Sequence, residues 1–156
     1  MLQGEIIAVC TSLNKGERKK AVGHCRLLKE FGLEGDAHAG DWHRQVSLLA
    51  QESIDKMIAA GLDVGPGDFA ENLTTSGIEL YTLPVGSLFR LSSGAELEVT
   101  QIGKECHTRC SIYYQAGDCV MPKEGIFARV LKEGLVSNGD RIELVRRGAA
   151  KGDADD

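Results

Sequence analysis

The sequence has no apolar run approaching the roughly 20 residues that span a bilayer, so a membrane-spanning helix is excluded. It also lacks an excess of positive charge. Lys and Arg number 18 against 23 Asp and Glu, a net charge of −5, and this balance argues against a general nucleic-acid binder, which needs cations to neutralise phosphates. The N-terminal Met1-Leu2-Gln3-Gly4-Glu5 has no basic leader, and the apolar stretch after it ends at Cys10. No secretory signal is expected, and the protein is expected to be cytoplasmic with no membrane partner. An even cysteine framework is missing too: five cysteines without repeating spacing read as reduced thiols. No internal repeat is evident.

With 42% hydrophobic and 26% charged residues among 156, the chain is predicted to fold as one soluble globular domain. Nineteen glycines recur between short apolar segments, a pattern of many turns. Leu2–Val9, Val85–Leu91, Glu96–Ile102 and Arg141–Val145 read as strands. In the third, Leu97 and Val99 alternate with Glu96, Glu98 and Thr100. Ser92-Ser93-Gly94 and Asn138-Gly139-Asp140 are turn signals. Two helices are expected, Gln51–Ala60 with Ile54, Met57 and Ile58 on one face before Gly61, and Glu124–Glu133 with Ile126, Phe127, Val130 and Leu131 as its stripe. Short strands, many turns and few helices predict a mostly-β barrel or sandwich. Residues 1–147 form the expected domain and 148–156 an expected disordered acidic tail.

Three blocks carry candidate chemistry. Gly32–Gln45 gathers Asp36, His38, Asp41, His43, Arg44 and the only tryptophan, Trp42, in a stretch with little core-forming potential; such a loop has a ligand or a tight turn to satisfy its polar groups. Gly67–Thr74 contains Asn72, whose amide offers both donors and an acceptor, for a ligand or for the backbone of a turn. Gly103–Gly125 carries Lys104, Cys106, His107, Cys110 and Cys119. Cys119, in a loop before a helix, is the most suggestive thiol: thiolates attack persulfide sulfur and ligate soft metals. Cys106, His107, Cys110 and Cys119 also allow a zinc or thiol-redox module, although the spacing departs from usual zinc patterns. Cys10 and Cys25 read as inert. Lys15–Lys29 holds six cations against Glu17 alone, either a solvated loop or a rim for an anion.

The ordered set G-L-E-G-D-A-H-A-G…H-R, G-D-F-A-E-N-L, Cys119 and G-D-R-I-E-L resembles the MOSC domain, the C-terminal domain of molybdenum cofactor sulfurases, in a small stand-alone bacterial form. The resemblance covers Leu2 to Val145. It implies a MOSC-type β-barrel-like domain with a few short helices, and a pyranopterin molybdenum cofactor. Cys119 would be the catalytic thiolate and metal ligand. Asn72 would contact the pterin or its phosphate, with Asp36, His38, His43 and Arg44 lining the same cleft and Lys104 among the cofactor-binding residues. The implied activity is cofactor sulfuration or sulfur transfer, or reduction of N-hydroxylated compounds. Expected partners are a cysteine desulfurase-type, pyridoxal phosphate-dependent sulfur donor, a cofactor biosynthesis enzyme or a redox donor protein. No pyridoxal phosphate is expected on this chain itself. A non-enzymatic cofactor-binding accessory is the alternative. One departure stands out: Ala70 and Glu71 precede Asn72, where family members of the amidoxime-reducing type have a basic residue and a proline.

Overall fold

A computed structural model describes residues 2–103 and 121–149. Cys119, Lys104, Cys106, His107 and Cys110 lie outside the described residues, as does most of the expected acidic tail, 150–156. In chain order the elements are β1 (Gln3–Thr11), β2 (Lys20–Ala21), β3 (His24–Leu28), β4 (Gly32–Leu33), β5 (Val46–Ala50), α1 (Gln51–Ala59), β6 (Leu73–Ser76), a 3-10 turn (Leu80–Thr82), β7 (Leu88–Leu91), β8 (Glu96–Ile102), a one-turn α2 (Met121–Glu124), β9 (Ile126–Lys132), β10 (Gly134–Ser137) and β11 (Arg141–Arg146).

Seven strands close into a barrel in the order β1-β11-β7-β8-β9-β5-β6, with β6 returning to β1 and the short β2 extending β1. Neighbours are antiparallel except β5 and β6. The parallel pair needs a crossover, and α1 supplies it. β10, β3 and β4 form a separate small sheet. The mostly-β barrel expected from the sequence is therefore the fold observed.

Two apolar clusters fill it. Ile6, Val9, Leu48, Leu73, Phe89, Leu97, Ile126 and Val130 belong to the barrel interior, while Leu49, Ile54, Met57, Phe69 and Phe127 form a smaller cluster beneath α1. This second cluster explains the one misread element. The expected helix at Glu124–Glu133 is instead α2 followed by β9. Ile126, Ala128 and Val130 point inward with period two, but Phe127 is also apolar because it packs outward against α1. A strand buried on both faces thus imitates a helical stripe. Other differences are smaller: Ile58 is 45% exposed, and the expected Val85–Leu91 strand begins at Leu88 because Pro84–Ser87 is a turn.

Candidate functional site

Four segments converge beside β1: its end at Ser12, the following loop to Lys19, the Asp36–Arg44 loop, and the Gly67–Asn72 turn. At their centre, Lys19 is buried and its Nζ lies 2.7 Å from Asp36 Oδ1, both side chains fully enclosed. Five cations of the basic segment, Lys15, Arg18, Lys20, Arg26 and Lys29, are exposed, and Lys19 is not. Its ammonium has three hydrogens and three acceptors: Asp36 Oδ1, Ser12 Oγ at 3.0 Å and His38 Nδ1 at 3.0 Å. An ammonium can only donate. Nδ1 of His38 must therefore accept, which places the proton of the neutral ring on Nε2.

Asp36 is held equally firmly. Oδ1 also accepts from Ser12 N, and Oδ2 accepts from His38 N, both at 3.1 Å. Burial pushes its pKa up, but the Lys19 hydrogen bond and charge, the Ser12 amide and the Asn72 side chain outweigh this, and the carboxyl ends below its usual range. Burying two charges costs several kcal/mol per ion before pairing returns it. A barrel core does not require such a pair.

Asn72 is completely buried. Its Oδ1 accepts from Ser47 N at 3.0 Å and Ser47 Oγ at 3.1 Å, its Nδ2 donates to Cys10 O at 3.1 Å, and its side chain helps to lower the pKa of Asp36. The amide therefore ties β1 and β5 together beside the site. The turn before it is built around Glu71, also fully buried. Glu71 Oε2 accepts from Gly67 N and Thr74 Oγ1, and Oε1 from Phe69 N; burial raises its pKa. The acid in the turn before Asn72 thus staples its own turn. Gly67 is obligatory there: its φ is +88, and a Cβ would lie 2.2 Å from Lys19 O. Cys10, below the turn, is buried and its thiol is pushed up to about 12 by burial and by Glu71 and Asp68. Cys25, half-buried on β3, is raised mainly by burial.

Trp42 joins this cluster to a second one. Its Nε1 donates to His38 O at 2.8 Å, and its ring lies parallel to His38 within 10°, centroids 6.5 Å apart. His43 meets it edge-on at 5.8 Å. Lys15 Nζ stands 5.0 Å and the Arg44 guanidinium 5.9 Å from the indole centroid. His43 Nε2 and Arg44 Nε share Gln101 Oε1 at the end of β8, at 2.9 and 3.2 Å. Two steps on, Gly103 N donates to Gly125 O at 2.7 Å; these glycines flank the segment that carries Cys119. Asp36 and His38 thus share one hydrogen-bonded cluster with Lys19 and Ser12, Asn72 is bonded to Ser47 and Cys10, and His43 and Arg44 lie against Trp42. Lys19, Ser12, Trp42 and Gln101 complete the arrangement; only Lys19 and Trp42 carried any signal in the sequence, as a member of a basic run and as the lone tryptophan.

Among the described residues, no group of three or more His, Cys, Asp or Glu side chains is arranged to hold a metal, and the candidate zinc ligands Cys106, His107, Cys110 and Cys119 are not described. The donor set does suit an anionic ligand with a flat ring: Lys15 and Arg44 supply positive charge around an indole face. No helix is long and apolar enough to cross a membrane among the described residues.

Comparison with known proteins agrees with this architecture. The YuaD protein of Bacillus subtilis superposes with a TM-score of 0.77 at 20% identity, over 91% of this chain and 95% of that one. YiiM from Escherichia coli gives a TM-score of 0.66 at 25% identity, over 94% and 71%. YflK of Bacillus subtilis is 33% identical over 85 residues, 51% of this chain but only 38% of that protein. The MOSC domain model matches residues 35–143, which contain Asp36, His38, Trp42 and Asn72, and the chain belongs to the MOSC domain family.

Proposed function

We propose that this MOSC protein binds the molybdenum cofactor at the corner formed by His38, Trp42 and Arg44, with Cys119 as the thiolate that meets the metal or carries sulfur. The observation that carries the reading is the buried Lys19–Asp36 pair, whose remaining hydrogen bond is spent on a histidine at the edge of a cationic, aromatic surface. When bound, the cofactor would supply a metal centre suited to sulfur transfer or to reduction of N-hydroxylated compounds. The chain's own groups do the rest. Lys15 and Arg44 hold the ligand's negative charge, and the Trp42 indole covers its apolar face. Lys19 donates to His38 Nδ1 and fixes the orientation of that ring at the edge of the surface. Asp36 and Asn72 orient Lys19 and touch no ligand.

A cysteine desulfurase-type donor, a cofactor biosynthesis enzyme or a redox donor protein is the proposed partner, in the cytoplasm. The test is molybdenum analysis and pterin fluorescence on natively purified wild type and Cys119→Ser, with circular dichroism as the fold control. Molybdenum and pterin in wild type, with molybdenum lost in the folded variant, is the expected result. Equal molybdenum in both proteins would remove Cys119 from the site; neither component in protein from a cofactor-producing host would overturn the reading.

A further inference from the structure

A cleft of about 450 Å³ runs between the Asp41–His43 loop and the barrel wall, with Trp42 and His43 on one rim and Val85 and Gly86 on the other. That size is within the range of small-molecule sites. Most of its charged groups are already matched. Arg129 Nε holds Glu98 at 2.8 Å and its Nη1 holds Glu30 at 3.5 Å, while His43 Nε2 is engaged by Gln101. Asp41 is a third carboxylate in the lining, so the cleft holds more acid than Arg129 neutralises.

One donor is not matched. Gln45 lines the cleft and is only 2% exposed. The β5–β9 ladder ends at the Val46–Ala128 pair, and beyond it Gln45 Oε1 accepts from Val130 N at 2.9 Å. A backbone N–H can only donate, so the oxygen of this amide must face Val130 and its NH2 must face away. Among the described residues this is the one hydrogen bond of the side chain, which leaves two Nε2 hydrogens for an acceptor in the cleft. Buried amides are ordinarily paired. An occupant that pairs this one must bring a lone pair: an ammonium or amidinium offers only donors, and the acids of the lining repel an anion. An uncharged carbonyl meets both conditions, and the Trp42 indole on the rim provides a flat apolar face for a ring beside it.

We propose that this cleft is a binding site for a small, uncharged aromatic or heteroaromatic carboxamide, whose oxygen accepts from Gln45 Nε2 while its ring packs on Trp42. Gln45 is then the residue that sets specificity. The cleft shares Trp42 with the proposed cofactor corner, yet its selectivity rests on Gln45 and Val130, which take no part there.

Benzamide, benzamidinium and benzoate share one ring and differ in the group they offer to Gln45, so they are the probes. In ¹H–¹⁵N spectra of the labelled full chain, benzamide is expected to shift the Gln45 Nε2 pair and the Trp42 indole resonance saturably, with a Kd on the order of mM for so small a fragment. Benzamidinium and benzoate are expected to give no saturable shift of the Gln45 pair over the same range. In Gln45→Met, with circular dichroism as the fold control, the benzamide Kd is expected to rise about 2- to 12-fold, as the loss of one net hydrogen bond requires. A Gln45 pair unmoved by benzamide overturns the proposal, as does an equal response to all three probes or an unchanged Kd in the folded variant. The probe series on wild type decides the matter even where Gln45→Met fails to fold.

Discussion

Replacing Lys19 by Met tests the buried pair most severely. The substitution removes three hydrogen bonds and leaves Asp36 enclosed with the Ser12 and His38 amides as its donors. Breaking a buried pair from one side costs about 3–5 kcal/mol; the surviving donors to Asp36 place Lys19→Met near the lower end, about 3 kcal/mol. Asp36→Asn leaves an ammonium facing only neutral acceptors and costs a similar amount. Neither loss exceeds the ~5–15 kcal/mol of a typical domain, so both variants fold. The double variant Lys19→Met with Asp36→Asn buries no charge, and falls short of the summed single losses by about 2 kcal/mol or more. Urea unfolding followed through Trp42 fluorescence measures all four proteins. The pH dependence has a definite sign. Asp36 has a depressed folded pKa, so its contribution is complete above its ordinary value of 3.8 and is lost as pH falls through the folded value. Wild type shows this acid limb and Asp36→Asn does not. Single losses below about 1 kcal/mol, or additivity within about 0.5 kcal/mol, would refute the reasoning.

Three further outcomes follow from the same packing. Cys10, with its thiol pushed up to about 12, is expected to stay unmodified by iodoacetamide at pH 8 in the native protein and to react only on unfolding, as mass-spectrometric mapping would record. Thr75 Oγ1 is buried with no hydrogen-bond partner among the described residues, so Thr75→Val is expected to raise stability by up to about 1–2 kcal/mol in urea titrations. Gly67→Ala forces a Cβ to within 2.2 Å of Lys19 O at a positive φ, and a loss of at least about 2 kcal/mol is expected in the same assay.

The parts of the fold that could be read from sequence are those with one buried face. β8 alternates because Leu97 and Val99 enter the core while Glu98 bonds Arg129 and Arg146 outside, and α1 ends where Gly61 adopts φ +99. β5 and β9 were opaque for the opposite reason. Leu48 and Ile126 face the barrel while Leu49 and Phe127 face α1, so neither strand alternates. In the site, the Asp36–Arg44 loop announced itself by its polar density, and Asn72 by its amide. Their division of labour did not: Lys19 looks like any other member of a basic run, and only the chain's return at Asp36, seventeen residues later, makes it a buried partner. Nor does sequence distinguish an Asn72 that binds a ligand from one whose amide is engaged by Ser47 and Cys10.

The central claim is that Lys19, fixed by Asp36, holds His38 as a neutral ring protonated on Nε2. Long-range ¹H–¹⁵N correlation on histidine-labelled protein reads this directly. The account predicts a protonated Nε2 and an unprotonated, hydrogen-bond-accepting Nδ1 for His38 at neutral pH in wild type, and loss of that fixed pattern in Lys19→Met. A His38 protonated on Nδ1 in wild type, or the same spectrum in the variant, would contradict it.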